Sequence, residues 1–516
     1  MAYSRIAMAV VAVMSVASAT TAFAQKSKDN LRIGIHQPVS SIDGIFDPSP
    51  QTSMMSRMVL DTLVNFDPVK KELVPGLAES WKRIDGKTLE FNLRKGVKFH
   101  NGDELDADDV VYTVNFILDP ETRFRFKDAT FGWLAGAQKI DQYTVRISAK
   151  SDMAPFEARL ATNPPIFPSR HHVKLSDKQT FGRAPIGTGP YRATQVDPNK
   201  GVIFERNEGY KHANAGKPAG AIKRIELHSI PDEQTRLAKI MVGDLDLIYD
   251  VTPDVAENFK ANPQIEISTR PTNAYAYLML DAIGRSGVNY FKDKRVREAI
   301  MRGIDRTALV KALQPAEIAA MPLQKSMCHP WNIGCAQSTE PPSYDPAKAK
   351  QLLAEAGYPN GFKVTVGTWG ASRPVAEAIT GQLRQIGINV ALDSMALPAF
   401  VKKRGGGELT AYIVLWDNSV GAPDVENTAG FFYAPGDRNY NGDEELTKLY
   451  VGGQLEFDPA KRIEIYRRLF DKVNTERFSM PLIPLAGTLI HSVDLKIPAP
   501  GRSFSEGFTI NILEWK

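Results

Sequence analysis

The sequence predicts an α/β protein of at least two domains, and three observations carry that reading. The chain has 516 residues, too many for one hydrophobic core. Between residues 345 and 393 helical and strand periods alternate, which is the pattern of a βαβ unit. Residues 78–118 read as strand, turn, strand and capped helix, a second kind of α/β organisation in the same chain.

The elements follow in order. Arg5 is the only charge in the first 24 residues, an apolar run extends from Ile6 to about Val16, and Ala22-Phe23-Ala24 places small residues where a signal peptidase reads. Residues 1–24 are therefore expected to be a signal peptide, cleaved before Gln25. The apolar run is too short to span a bilayer, and an N-terminal anchor helix is the alternative. No Cys stands immediately after the cleavage site, so a lipoprotein is not expected. Leu31 to Ile35 is a short strand, 42–50 is turn-rich, and Gln51 to Leu63 reads as a helix with Met54, Met55, Met58 and Val59 at helical spacing. That Met cluster reads as core, with a plastic pocket lining as the alternative.

Trp81 lies on the first strand of 78–118, Asp85-Gly86 supplies a tight turn, and Leu89, Phe91 and Leu93 alternate with polar residues at the strand period. Lys95-Gly96 and Asn101-Gly102 are further turns. Asp106 caps a helix whose first turn carries Asp108 and Asp109 and whose buried stripe is Val110, Val111, Val114, Ile117 and Leu118. Strands are expected at 143–148, 202–206 and Ile222 to Ile230, then a helix from Asp232, a turn into a strand at 243–248, and an apolar strand from Tyr275 to Leu280. Residues 345–357 and 373–386 read as helices, and 363–367 and 388–393 as strands.

Composition narrows the function. Hydrophobic residues make up 43% and charged residues 24%, as in ordinary globular proteins. The net charge is +4, or +3 without Arg5, and no basic block interleaved with aromatics supports nucleic-acid binding. Cys328 and Cys335, within C-H-P-W-N-I-G-C, are expected to form a disulfide in an exported chain. Metal binding through these thiols and His329 is the alternative, with no second ligand pair to complete it. No catalytic residues and no metal or other cofactor are expected: the sequence has no H-E-x-x-H helix, no G-x-S-x-G elbow and no complete phosphate-binding loop. Gly86-Lys87-Thr88 sits in a hairpin, Asp108-Asp109 belongs to a helix start, and the side chains of His171-His172 diverge.

The order of residues 78–118 resembles the signature block of the family 5 extracellular solute-binding proteins, the dipeptide, oligopeptide and nickel type that serves ABC importers. Four further segments keep the family's order. Pro185 to Tyr191 resembles its P-x-G-T-G-P-Y turn. Phe291 to Ile300 with Ile304-Asp305-Arg306 is similar to its F-x-D-x-R-V-R-x-A-I…I-D-R helix. Tyr344 to Tyr358 is similar to its Y-D-P-x-K-A-K-x-L-L-x-E-A-G-Y helix, and Gln382 to Ile388 to the next helix-to-strand junction. The resemblance implies a two-lobed periplasmic-binding-protein fold (type II, cluster C-like), with a ligand cleft between α/β lobes joined by two crossover strands. Lobe I would span 25–275, including an extra subdomain with the signature block. Lobe II would span 276–484, and 485–516 would return to lobe I. The crossovers fall near Tyr275 to Leu280 and near Met480 to Pro484.

The resemblance also implies site residues. In peptide-binding members a segment beginning at a Trp lines the cleft; here it is Trp416 to Asp424, with Trp416, Pro423 and Asp424 matching. Ser419 stands where the family's amine-binding Asp would be, and Ile413 where some members carry an Arg for the peptide carboxylate. Trp416, Asp417, Asn418 and Ser419 are the first ligand candidates, with lobe core as the other reading of Trp416. Gln51, Asn273, Tyr275, Trp369 and Arg373 join them by fold analogy. The function implied is non-enzymatic: a monomeric periplasmic binding protein that closes on a peptide-like solute and passes it to ABC permease subunits with their ATPases. An opine-like or sugar-derived solute is the first alternative, and a periplasmic receptor or chaperone-like role the second.

Overall fold

In the computed structural model, residues 29–498 and 510–516 are described, except 48, 125–126, 215, 250 and 419–421. The leader expected at 1–24 lies outside the described residues. The fold is a two-lobed α/β arrangement built around a ten-stranded sheet. Its strand order is Ile388–Met395, Phe362–Trp369, Ala411–Asp417, Ile265–Leu280, Ser479–Ser492, Leu247–Ile248, Asn30–Ile35, Arg224–Ser229, Gly201–Arg206 and Tyr191–Asp197.

The two long central strands are antiparallel and run through both halves of this sheet. Ile265 to Pro271 pair with Ala486 to Ser492, and Tyr275 to Met279 pair with Ser479 to Pro484. Between these stretches the register shifts, at Pro271/Tyr275. Pro271 and Pro484 each lack an amide hydrogen to give to the ladder. The Thr272 hydroxyl partly replaces the missing bond by donating to the Leu485 carbonyl at 2.9 Å. The sequence places a strand only at 275–280. Its first ten residues go unread because Ser, Thr, Arg and Pro break the apolar run, and pairing with Ser479–Ser492 overrides that weak local signal.

Side-chain alternation separates the cores. On the strand ending at Leu280, Ala276, Leu278 and Leu280 enter one cluster with Val366, Ile379 and Ile413. Tyr275, Tyr277 and Met279 enter another with Tyr412, Val414, Phe432 and Phe470. The strands and helices before residue 250 build a separate core that includes Leu31, Ile33, Met54, Met55, Met58, Phe66 and Phe91, so the Met cluster is core.

The segment 78–118 forms as its pattern requires. Strands Ala78–Asp85 and Thr88–Leu93 pair antiparallel within a four-stranded sheet. Asp106 caps helix Ala107–Leu118 in a capping box with Asp109. The helix expected over 51–63 is shorter, spanning Pro50–Val59. It stops because Leu60 turns extended and the Val59 carbonyl receives the Gly189 amide at 2.8 Å. The P-I-G-T-G-P-Y turn thus docks on the helix end. A Cβ on Gly187 would lie 1.9 Å from the Val59 carbonyl oxygen, so only glycine fits there.

Candidate functional site

Strands Phe362–Trp369, Ile388–Met395 and Ala411–Asp417 are mutually parallel where they pair. Their C-terminal ends carry Trp369, Met395 and Trp416-Asp417. The C-terminal edge of a parallel sheet is where open α/β folds leave a crevice, because chains diverge there.

The half-buried Trp416 directs its indole N–H inward, to Asn418 Oδ1 at 3.0 Å and Thr428 Oγ1 at 3.3 Å. It packs tilted against Phe431 and edge-on against Phe432, with ring centroids 4.3 and 5.1 Å away. Trp416 can therefore offer a ligand its ring, but its polar atom is already engaged. Asn418 is fully buried and acts as a structural hub. Its Oδ1 accepts from Trp416, from Thr428 at 2.9 Å and from Asn332 at 3.0 Å, and its Nδ2 donates to the Asn273 carbonyl at 2.8 Å. Asp417 is half-buried and opposite Ala274 in register. Ser419 lies outside the described residues.

The remaining candidates separate. Tyr275 is fully buried and its hydroxyl donates to the Met327 carbonyl at 2.6 Å. Burial pushes that phenol well above its ordinary pKa, so it is a neutral core donor. Asn273 is half-buried and supports Asn418 through its carbonyl. Arg373 is exposed, with its guanidinium on Glu377 one helical turn later at 2.7 Å. Gln51 and Trp369 each hold a buried N–H donor, Nε2 and Nε1, with no acceptor among the described residues. Buried donors of this kind are what an acceptor-bearing solute would satisfy.

Cys328 and Cys335 are bonded to each other, with Cα atoms 5.6 Å apart. The loop they close reaches in two directions. Cys328 lies in the core with Tyr275 and Phe432, whereas Trp331 packs edge-on at 5.1 Å against Phe66, in the core that includes Leu31 and Phe91. Within the same loop, Asn332 bonds Asn418, and the Ile333 amide donates to the Pro423 carbonyl at 2.9 Å. The disulfide loop therefore ties Asn418 and Pro423 to the core that contains Phe66. His329 stacks parallel to Tyr275 at 6.3 Å, and burial, helped by Lys71, lowers its pKa to about 4. It is a neutral packing residue at pH 7.

Further contacts cross the same seam, and the sequence reading missed them. Arg159 grips both oxygens of buried Glu426, at 2.8 and 2.9 Å, and lies 5.7 Å from the Trp133 ring. Glu426 also accepts from Tyr450 at 3.1 Å and Gln454 at 3.0 Å. Burial raises the Tyr450 hydroxyl's pKa, which keeps it a neutral donor. Nothing local distinguishes Arg159 or Glu426 from solvated helix residues; only tertiary contact across more than 260 residues identifies them.

The pattern of the bacterial extracellular solute-binding proteins, family 5, middle region, matches residues 72–439. Di/tripeptide-binding protein 1 of Pseudomonas aeruginosa is 26% identical over 484 residues, covering 86% of this chain and 87% of that protein. Heme-binding protein A of Haemophilus influenzae is 31% identical over 406 residues, covering 72% of this chain and 70% of that protein. Among solved structures, NikA from Brucella suis in complex with Fe(III)-EDTA superposes with a TM-score of 0.80 at 22% identity, covering 94% of this chain and all of that one (100%). The periplasmic binding protein DppA from Helicobacter pylori in complex with peptide STSA gives 0.75 at 23% identity, covering 94% and 98%. At these identities the structural likeness shows the fold.

Proposed function

The chain belongs to the bacterial extracellular solute-binding proteins of family 5, and on that premise we propose that it captures a peptide or peptide-like solute by closure of its lobes and hands it to an ABC permease. The observation that carries this reading is the pair of central strands. Two separately cored lobes hang on Ile265–Leu280 and Ser479–Ser492, whose ladder breaks between Pro271 and Tyr275. A ladder irregular at Pro271/Tyr275 and again at Ala276/Tyr277 bends there more readily than elsewhere, and ligand contacts on both sides then favour the shut form.

The lobes are proposed as 25–275 with 485–516, and 276–484. Support comes from the separation of the hydrophobic clusters along those lines. The leader at 1–24, release into the periplasm without a lipid anchor, and action as a monomer alongside permease and ATPase subunits complete the reading. Peptide is favoured over an opine-like or sugar-derived solute by the relatives: di/tripeptide-binding protein 1 of P. aeruginosa and the dipeptide-binding protein of Escherichia coli are both about a quarter identical over most of this chain. Half-buried Trp416, at the sheet edge, is proposed as the side wall against which the solute stacks.

The test is a thermal-shift screen of the mature protein against di- and tripeptides, with small-angle scattering on any hit. A specific binder raises the melting temperature by mass action. The expected outcome is a peptide-dependent shift and a smaller radius of gyration at saturation. A shift with an unchanged scattering curve would remove lobe closure from the mechanism.

A further inference from the structure

Among the described residues, several buried or half-buried arginines are matched to an anion, and others, such as Arg236 and Arg306, give their guanidinium hydrogens to backbone carbonyls. Arg462 meets Asp424 through two bonds of 2.8 and 2.6 Å, Arg32 meets Asp246 at 3.0 and 2.9 Å, and Arg159 meets Glu426 as described. Two arginines around Phe431, the ring next to Trp416, have neither kind of hydrogen-bond partner among the described residues, a condition they share with buried Arg270. Arg404, near the end of helix Leu397–Gly406, and Arg438, in the loop after helix Val425–Tyr433, converge on the Phe431 ring, with guanidinium carbons 5.0 and 4.7 Å from its centroid. Both are half-buried, and among the described residues neither guanidinium donates a hydrogen bond. Arg404 Nε is buried without a partner. Among the described residues the one carboxylate paired with either is Asp437, which is 70% exposed and 3.9 Å from Arg438 Nε.

Two like charges drawn to one ring repel each other and have lost part of their water, and the cation–π contacts offset only a fraction of that cost. Burial and then the repulsion from Arg404 both lower the pKa of Arg438, in line with a missing counter-charge. The pair also adjoins the seam between the lobes. A Cβ on Gly430, the residue before Phe431, would sit 3.0 Å from the Tyr450 hydroxyl, and Tyr450 bonds Glu426, the partner of Arg159. One continuous strip therefore runs from Trp416 across Phe431 to the two arginines, with its flank at the interlobe contact.

We propose that Arg404 and Arg438 hold the carboxylate end of the transported solute, with Phe431 and Trp416 lining its apolar stem. The assignment rests on the peptide-capturing reading above and makes it narrower: the solute is recognised by an anionic terminus, not by its amine. Planar guanidinium groups suit a carboxylate because two parallel N–H donors match its two oxygens. The aromatic strip accepts side chains of varied shape, so discrimination falls on the charge at the end.

The test is a thermal-shift and calorimetric comparison of tripeptides as free acids and as C-terminal amides, alongside simple dicarboxylates and inorganic phosphate. The proteins are the mature wild type, Arg404→Ala with Arg438→Ala, and Arg404→Lys with Arg438→Lys. A free-acid peptide is expected to bind at least tenfold more tightly than its amide, the alanine pair to remove that difference, and the lysine pair to restore part of it. Equal binding of acid and amide overturns the carboxylate end while leaving peptide capture intact. A shift only with dicarboxylates or phosphate, abolished in the alanine pair, keeps the anion site and overturns the peptide reading. No shift with any anionic probe overturns the proposal. Circular dichroism of the alanine pair guards against misfolding, and the lysine pair gives a second readout should it misfold.

Discussion

Two regions of the protein treat buried charge in opposite ways. In the first, Asp61 is 1% exposed and is surrounded by Thr188, which donates at 2.7 Å, by His212 at 3.0 Å, and by the Lys217 ammonium. Lys217 also donates to the Leu60 carbonyl at 2.6 Å. Burial alone would raise the Asp61 pKa, but Lys217 and His212 more than reverse this and hold it below the usual carboxylate range. In the second, Arg404 and Arg438 share a ring and no such cage. A closed cage of donors and acceptors fixes one packing, here the docking of the Pro185–Tyr191 turn on helix Pro50–Val59. An open cationic pair fixes nothing in the protein by itself and is available to a ligand. What distinguishes structural from functional charge here is therefore satisfaction by neighbours, not burial.

The largest expected effect lies in the cage. Asp61→Asn leaves Lys217, 4% exposed, without its counter-charge, and should cost about 3–5 kcal/mol. Urea unfolding measures it, and a loss below about 1 kcal/mol would break the comparison from the structural side. Next is His100, which borders the same turn. Its Nδ1 accepts from the Gly187 amide at 3.3 Å and its Nε2 meets the Gly189 carbonyl at 3.1 Å, a pattern that requires the neutral ring. Burial lowers its pKa to about 4 against the hydrogen bond to Gly189. The unfolded chain takes up this proton near pH 6.5, so the contribution is complete above that pH. It falls as pH drops from 6.5 towards 4 and then levels, by about 3 kcal/mol at most. The difference between wild type and His100→Gln, followed by chemical unfolding over that window, should show the slope; a flat difference contradicts it.

The seam between the two regions comes third. Replacing Cys328 and Cys335 by Ser opens the loop that carries Trp331 and should cost about 2.5 kcal/mol on the chain-entropy account. Red-shifted tryptophan emission should accompany it as Trp331 leaves Phe66, and unchanged emission would show that packing alone seats the loop. The smallest effect sharpens the contrast most. Arg404→Ala with Arg438→Ala should change stability by no more than about 0.5 kcal/mol, since no protein hydrogen bond is lost and a repulsion is relieved. A loss above about 2 kcal/mol would make this pair structural, like the cage.

Much of the fold was legible because it rests on local rules. Leu89, Phe91 and Leu93 alternate and are buried as a strand face; Asp106 and Asp109 cap the helix the pattern predicts. Met54, Met55 and Met58 follow the helical period into the core. The site was less legible. The Trp416 segment stands out by its resemblance, yet whether Trp416, Asn418 or Tyr275 faces outward depends on which partners saturate them. Asn418 is consumed by Asn332, Thr428 and Asn273, and those partners lie 86, 10 and 145 residues away in sequence. Arg404 in K-K-R reads as an ordinary basic helix end, and Arg438 in G-D-R-N as a turn residue.

By itself the sequence determined the class of the protein: apolar period, turn glycines, caps and the ordered family segments dictate α/β units whose faces must be buried. Tertiary structure alone decided which polar groups are spent. Hydrogen bonds and ion pairs are short-ranged, so their bookkeeping closes only when distant segments meet, and only then does Phe431 emerge between two cations whose one carboxylate partner among the described residues is the exposed Asp437.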